Sequence, residues 1–316
     1  MNATEQGETL PSTLTGASAW NAQRARRTAL LALLAYLAFD LLLPLIPTGH
    51  GPKPPLLVAA LQAISTIPFM LLQLWLAQSV VGLKPRPAVC VVLTLAFVAL
   101  WFATRFFVFP HKAWSGIVNA PLYVLRPLLM GLTITLAFGF FGILLSRIIR
   151  EPNVLLPVAL VAMPIDYLGA MTPIGFTQNA VTTNPALVRA LSVPVPSVGG
   201  GGQPHGGIHP IAFIGPGDAL FMAFFFAVVL RLDLNVRGTF WWMYGLLTAT
   251  MLLVLFSNVN IAALIPMGLA VLIANGRFFK LKREEAFATL YAGLLIIALV
   301  IGFYAYSHSH FFHHAS

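Results

Sequence analysis

Long apolar runs separated by short polar or charged breaks dominate the chain from residue 28 onward. A helix needs ~20 apolar residues to cross a hydrocarbon core. Nine stretches reach or approach that length: 28–47, 55–81, 88–109, 127–148, 153–172, 208–231, 239–257, 259–276 and 287–306. The pattern predicts an all-α polytopic membrane bundle of about nine transmembrane helices. Only Ser257–Asn258 separates the seventh stretch from the eighth, and 105–126 leaves room for an interfacial or re-entrant piece. Residues 1–22 are polar and rich in Gly, Ser and Thr, so a disordered N-terminal tail is expected there.

Composition agrees with that pattern. With 59% hydrophobic and 9% charged residues and a mean hydropathy of +0.87, the chain could not keep a globular surface wet. The first apolar run is long and lacks a convincing small-residue cleavage site, so it is expected to stay as a helix rather than leave as a signal peptide. Lys and Arg set the expected orientation. With the N-terminus inside, 13 of the 18 basic residues fall on the inner face, from Arg24, Arg26 and Arg27 to Arg277, Lys280, Lys282 and Arg283. The C-terminus is then outside, and the expected location is a cytoplasmic membrane of prokaryotic type. The net charge of +9 thus signifies topology and attraction to anionic headgroups of the bilayer, not nucleic-acid binding. A lone cysteine, Cys90, excludes an intrachain disulfide and a thiolate metal cluster and is expected to pack.

Against this apolar background the acids are informative. Six of the nine lie in tails or at segment edges, which leaves Asp40, Asp166 and Asp218 inside apolar runs. A charge near the bilayer centre costs at least ~2.5–3.5 kcal/mol, so each is a functional candidate. Asp166 lies 13 residues after Asn153 and Asp218 lies 13 residues before Arg231. At ~1.5 Å per residue both stand about 20 Å from the inner edge, and antiparallel neighbours would bring them face to face. Two carboxyls sharing a site cannot both ionise cheaply and hold one proton between them. An aspartic peptidase needs that state, with one Asp⁻ drawing a proton from water and one neutral Asp polarising the scissile carbonyl. Gly215 and Gly217 let another backbone approach, and Pro216 loosens the start of the helix beside Asp218.

The stretch FIGPGDALFMAFFFAVVL resembles the GxGD helix of the presenilin and signal peptide peptidase family of intramembrane aspartyl proteases. The resemblance implies that Asp218 is catalytic. Upstream, MPIDYLGAMTPIG is similar to the family's Tyr-Asp helix and implies the same role for Asp166. Here the tyrosine, Tyr167, follows the acid, and Ile165 precedes it. Tyr167, Gly215 and Gly217 are the implied supports of the active site. NIAALIPMGLAVLIANG resembles the family's Pro-Ala-Leu helix, with Ala262 in the proline position followed by Ala263 and Leu264, and these residues are the implied edge of a substrate cleft.

The resemblance covers roughly 153–283 and implies a catalytic membrane region over 151–283 with a Gly/Pro-rich loop at 173–207 behind a scaffold over 23–150; the chain departs from the family in an extra C-terminal helix with a His-rich tail over 284–316. It further implies an endopeptidase that cuts transmembrane or remnant signal-peptide helices without cofactor or metal. The count of four segments before Asp166, where the family has five, puts the 173–207 loop outside, an orientation that resembles signal peptide peptidase and favours type II substrates. Accessory subunits and self-cleavage of the loop are left open.

Other readings compete. A prepilin-peptidase-like enzyme also uses GxGD, but places its acids near the cytoplasmic edge. A proton-coupled transporter also uses intramembrane carboxylates, without an inverted repeat here to favour it. A non-catalytic scaffold would bind helices with both acids neutralised. Asp40 is either a hydrogen-bonded structural acid near the kink expected at Pro44 or an accessory acid of the site. Loop 173–207 is a flexible linker, or Leu191–Val195 within it offers an edge strand to an unwound substrate. His308, His310, His313 and His314 have spacings that suit a metal, yet a solvated tail is the simpler expectation.

Overall fold

A computed structural model describes residues 12–43, 46, 54–108, 120–171, 183, 191–195, 212–257 and 261–280, with isolated positions beyond. Its helices are α1 (Ser12–Leu42), α2 (Pro55–Gly82), α3 (Pro87–Ala103), α4 (Ala120–Leu145), α5 (Pro152–Met171), α6 (Pro216–Arg231), α7 (Val236–Ser257) and α8 (Leu264–Asn275). Strands β1 (Val193–Val195) and β2 (Ala212–Ile214) form a two-stranded antiparallel sheet. Four helices open on proline, at 55, 87, 152 and 216. The first helical position is where proline's missing N–H costs nothing and its fixed φ helps.

Among the described residues, five segments are long and apolar enough to cross a membrane: Leu57–Gly82, Pro87–Phe106, Leu128–Ile148, Pro152–Gly169 and Val236–Ser257. The chain is a mostly helical, multi-pass membrane protein. Several expected boundaries shift. Residues 12–22, expected as disordered tail, are the first turns of α1, because Ala17–Arg27 is rich in good helix formers. The expected span 208–231 breaks instead into β2 and a 16-residue helix, since Pro216 cannot continue a helix from the residue before it. The eighth expected span contracts to the 12-residue α8. The span expected at 287–306 is described only at isolated positions, and the His-rich tail lies outside the described residues.

Helix α6 is the centre of the bundle. Met222 through Val229 are all buried, a pattern of apolar burial on every side that marks a core helix. It packs mainly on α4 and α2. Gly142 makes the α4 contact possible, since a Cβ there would run into the Leu220 carbonyl and the Phe224 amide. α7 is tied to α8 through a buried polar knot rather than through apolar packing alone. The Asn235 amide donates to Asn275 Oδ1 at 2.9 Å, and Asn275 Nδ2 donates to Thr239 Oγ1 at 2.8 Å and to the Val271 carbonyl. Asn275 and Thr239 are fully buried, and the knot satisfies them where water cannot. Cys90 is buried, as expected of a packing residue.

Helix α5 is peripheral. Its extended partner is α8, not α6. Three contacts fix the pair along its length. Asn153 and Lys280 exchange two hydrogen bonds, 3.0 and 3.1 Å, at one end. Gly268 lies so close to Met163 that a Cβ would sit 2.8 Å from Met163 Cγ. Asp166 meets the start of α8 at the other end.

Candidate active site

Asp218 stands in the first turn of α6, where its Oδ2 accepts the Gly215 N–H at 2.9 Å. An acid three residues into a helix that reaches back to the amide ahead of it satisfies one of the donors a helix start leaves open. The break at Pro216 thus puts the acid at a helix terminus, not in mid-helix. Asp166 lies on α5 two residues after Pro164, which removes one backbone hydrogen bond from the helix just before the acid. Its Oδ2 accepts the Leu264 N–H at 2.9 Å, a free donor at the N-terminus of α8.

Both acids are half-buried and lie within Coulombic reach of each other. Antiparallel packing of their two helices, expected from the depth arithmetic, does not produce this proximity, because α5 lies against α8 and α6 against α4. A cavity of about 430 Å³ separates α5 from α6. Asp166, Gly217 and Leu264 border it, and Ala162, Ile165 and Phe221 give it an apolar wall. Along α5 it runs from Asp166 back to Pro157, about 13 Å at the helical rise.

Neither a family model, nor a curated protein, nor a solved structure matches the chain.

The other expected site residues separate into two groups. Gly217 belongs to the cavity, and a Cβ there would meet nothing within 4 Å, so its missing side chain leaves space rather than closing a protein contact. Gly215 supplies the amide that holds Asp218. Ala262 and Leu264 are buried and Ala263 is half-buried where α8 begins, with the Leu264 amide on Asp166. Tyr167, by contrast, is exposed, and no hydrogen bond among the described residues ties it to either acid. Asp40 is remote in packing. Its helix packs on α2 and α4, and it is buried with Oδ1 left unpartnered.

Sequence reasoning missed Phe221, Ala162 and Gly268. Phe221 and Ala162 look like ordinary membrane-helix residues, and only the divergence of α5 from α6 makes them walls. Gly268 was findable as a small residue in the Pro-Ala-Leu-like helix, though nothing local names Met163 as its partner.

The β-sheet changes the expectation for Leu191–Val195. Val193 and Val195 are buried and β1 is already paired, Val193 opposite Ile214 and Pro194 opposite Phe213. Gly131 of α4 backs the sheet, 3.3 Å from Val193 Cγ1 if it bore a Cβ. Proline has no N–H to give the ladder, so Val193 and Val195 carry it, and Phe213 turns its N–H and C=O to the opposite edge of β2. That edge has no strand on it among the described residues. It ends at the glycine that holds Asp218.

Proposed function

We propose that this chain is an intramembrane aspartyl endopeptidase that hydrolyses peptide bonds of membrane-embedded helices, with Asp166 and Asp218 activating one water. The observation that carries the reading is the approach of two carboxyls from separate helices to within Coulombic reach, Asp166 on the wall of an apolar cavity and Asp218 next in sequence to Gly217 on that wall. Each acid commits one oxygen to a backbone amide, and these bonds hold the pair in place before substrate arrives. One carboxylate takes a proton from water as it attacks the scissile carbonyl, and the other, protonated, donates to the developing oxyanion. No metal or cofactor enters this scheme.

The resemblance of the 215–218 motif to the presenilin and signal peptide peptidase helix supports the same reading, as do the expected nine spans with an inside N-terminus. Substrates are then transmembrane or remnant signal-peptide helices that enter between α5 and α6. A helix must unwind before a peptidase can reach its backbone, and the free β2 edge at Phe213 offers an unwound segment a strand to pair with. The test is cleavage of a fluorescent membrane-helix substrate by the purified chain. Wild type is expected to cut it and to be titrated by an aspartyl-protease transition-state mimic, and Asp218→Asn is expected to lose at least about a hundredfold in rate. Equal cleavage by the variant overturns the assignment.

A further inference from the structure

A second, more polar cleft of about 330 Å³ opens where α2, α4 and α6 end. It lies about 20 Å from Asp218, at 13 residues along α6. Three cations border it, Lys84 after α2, Arg147 after α4 and Arg231 at the end of α6, against one carboxylate, Asp233. Burial and the neighbouring Arg147 charge both press on the Arg231 guanidinium. Arg147 gives one N–H to the Pro85 carbonyl at 2.9 Å. A helix C-terminus attracts a cation to its own end. That attraction explains each residue singly, but not two guanidiniums from separate helices drawn up to one another.

The backbone adds an independent sign. Among the described residues, Lys84 (φ 46°) and Asp233 (φ 51°) are the non-glycine residues in left-handed conformation, and both border this cleft. Each follows a helix cap, where glycine is the unstrained choice. Strain kept in this way clusters at binding sites. An adjoining cleft of about 360 Å³ shares Val81 and Leu230 with the first; Arg24, Thr28, Gln78 and Ser79 line part of it, and Trp75, Phe226 and Val236 give it an apolar wall. It runs along α2 from Trp75 to Gly82, about 10 Å, with Phe226 on its far side. Exposed Trp241 and Trp242, near the start of α7, place this end of the bundle at a membrane–water interface.

We propose that the two clefts together bind one anionic phospholipid, its phosphate against Lys84, Arg147 and Arg231 and part of an acyl chain along Trp75 and Phe226. The apolar annex and the interfacial depth select a lipid over a soluble phosphate. Arg forks match phosphate oxygens in pairs, and three cations against one carboxylate leave the cleft positively charged.

The experiment is native mass spectrometry of the purified full chain released from micelles containing equal amounts of phosphatidylglycerol and phosphatidylcholine. Wild type is expected to retain one phosphatidylglycerol with a preference of at least about tenfold. K84Q/R147Q/R231Q is expected to bring the two lipids to parity, while R277Q/K280Q keeps the preference. Lys84→Gly provides a check that does not depend on the triple variant folding: it relieves the left-handed residue, so the unfolding temperature rises while phosphatidylglycerol retention falls. Equal retention of both lipids by wild type, or unchanged retention by Lys84→Gly, overturns the proposal. Displacement of the lipid by millimolar inorganic phosphate overturns it in favour of a soluble anion.

Discussion

Asp166, Asp218 and Asp40 are three acids in apolar helices with three different surroundings. The first two each hold a backbone amide at 2.9 Å and lie within Coulombic reach of each other. Asp40 instead is buried one turn from Tyr36 on α1, a helix that packs on α2 and α4. Asp40→Asn keeps the size of the buried side chain, so the variant is expected to cleave a reporter helix within about twofold of wild type, since it touches no reacting atom. A loss as deep as that of Asp218→Asn would move Asp40 into the site. The glycines give a second contrast. Gly142→Ala forces a methyl into backbone, the Leu220 carbonyl, whereas Gly268→Ala meets the flexible Met163 side chain. Overpacking costs about 1–3 kcal/mol. Unfolding in detergent should therefore show Gly142→Ala at or beyond the top of that range and Gly268→Ala near its bottom. The reverse order would mean that α4 and α6 are not in backbone contact.

At the scale of elements, the helix that carries Asp218 is short because a strand precedes it. The strand and the helix are joined only by Gly215, whose N–H is held by Asp218, so anything paired to β2 is held in register with the carboxyl. Phe213, 41% exposed, is the residue whose N–H and C=O face the free edge. Phe213→Pro removes that donor without touching the β1–β2 ladder. It is expected to slow helix cleavage at least about tenfold, with folding unchanged, if strand addition presents the scissile bond. Cleavage of a short, already extended peptide should fall less. Equal effects on both substrates would separate the β2 edge from substrate presentation. α8 has the complementary duty, since its first amide sets Asp166 and its Gly268 sets how near α5 can come.

For the whole molecule, much of the plan was legible in the apolar pattern. The acids stood out because lipid makes charge expensive, and the starts of α2, α3 and α5 fell within a residue or so of where the apolar runs begin. The two acids singled out in this way, Asp166 and Asp218, are also the two within Coulombic reach of each other. What one-dimensional pattern could not carry was the lateral arrangement. The expectation that α5 and α6 lie side by side failed, because sequence spacing gives depth along an axis and says nothing of which helix is next to which. The contact of α5 with α8 depends on Gly268, Asn153 and the Leu264 amide, none of which differs locally from ordinary helix residues. Strand β2 was hidden for a similar reason, since three apolar residues before Gly215 read as a continuation of the membrane span. Tyr167 shows the limit of motif logic: it adjoins Asp166 in sequence yet is exposed, as a neighbour about 100° around a helix can be.

The central claim is that Asp166 and Asp218 act as one unit on one water, and a kinetic cycle on the purified chain tests it most directly. Single-turnover cleavage of a reporter helix is measured for wild type, Asp166→Asn, Asp218→Asn and the double variant. Groups that work as a unit are non-additive, so each single variant is expected to lose as much as the double, at least about a hundredfold. Losses that add independently, or an Asp166→Asn chain that cleaves at the wild-type rate, would contradict the shared site.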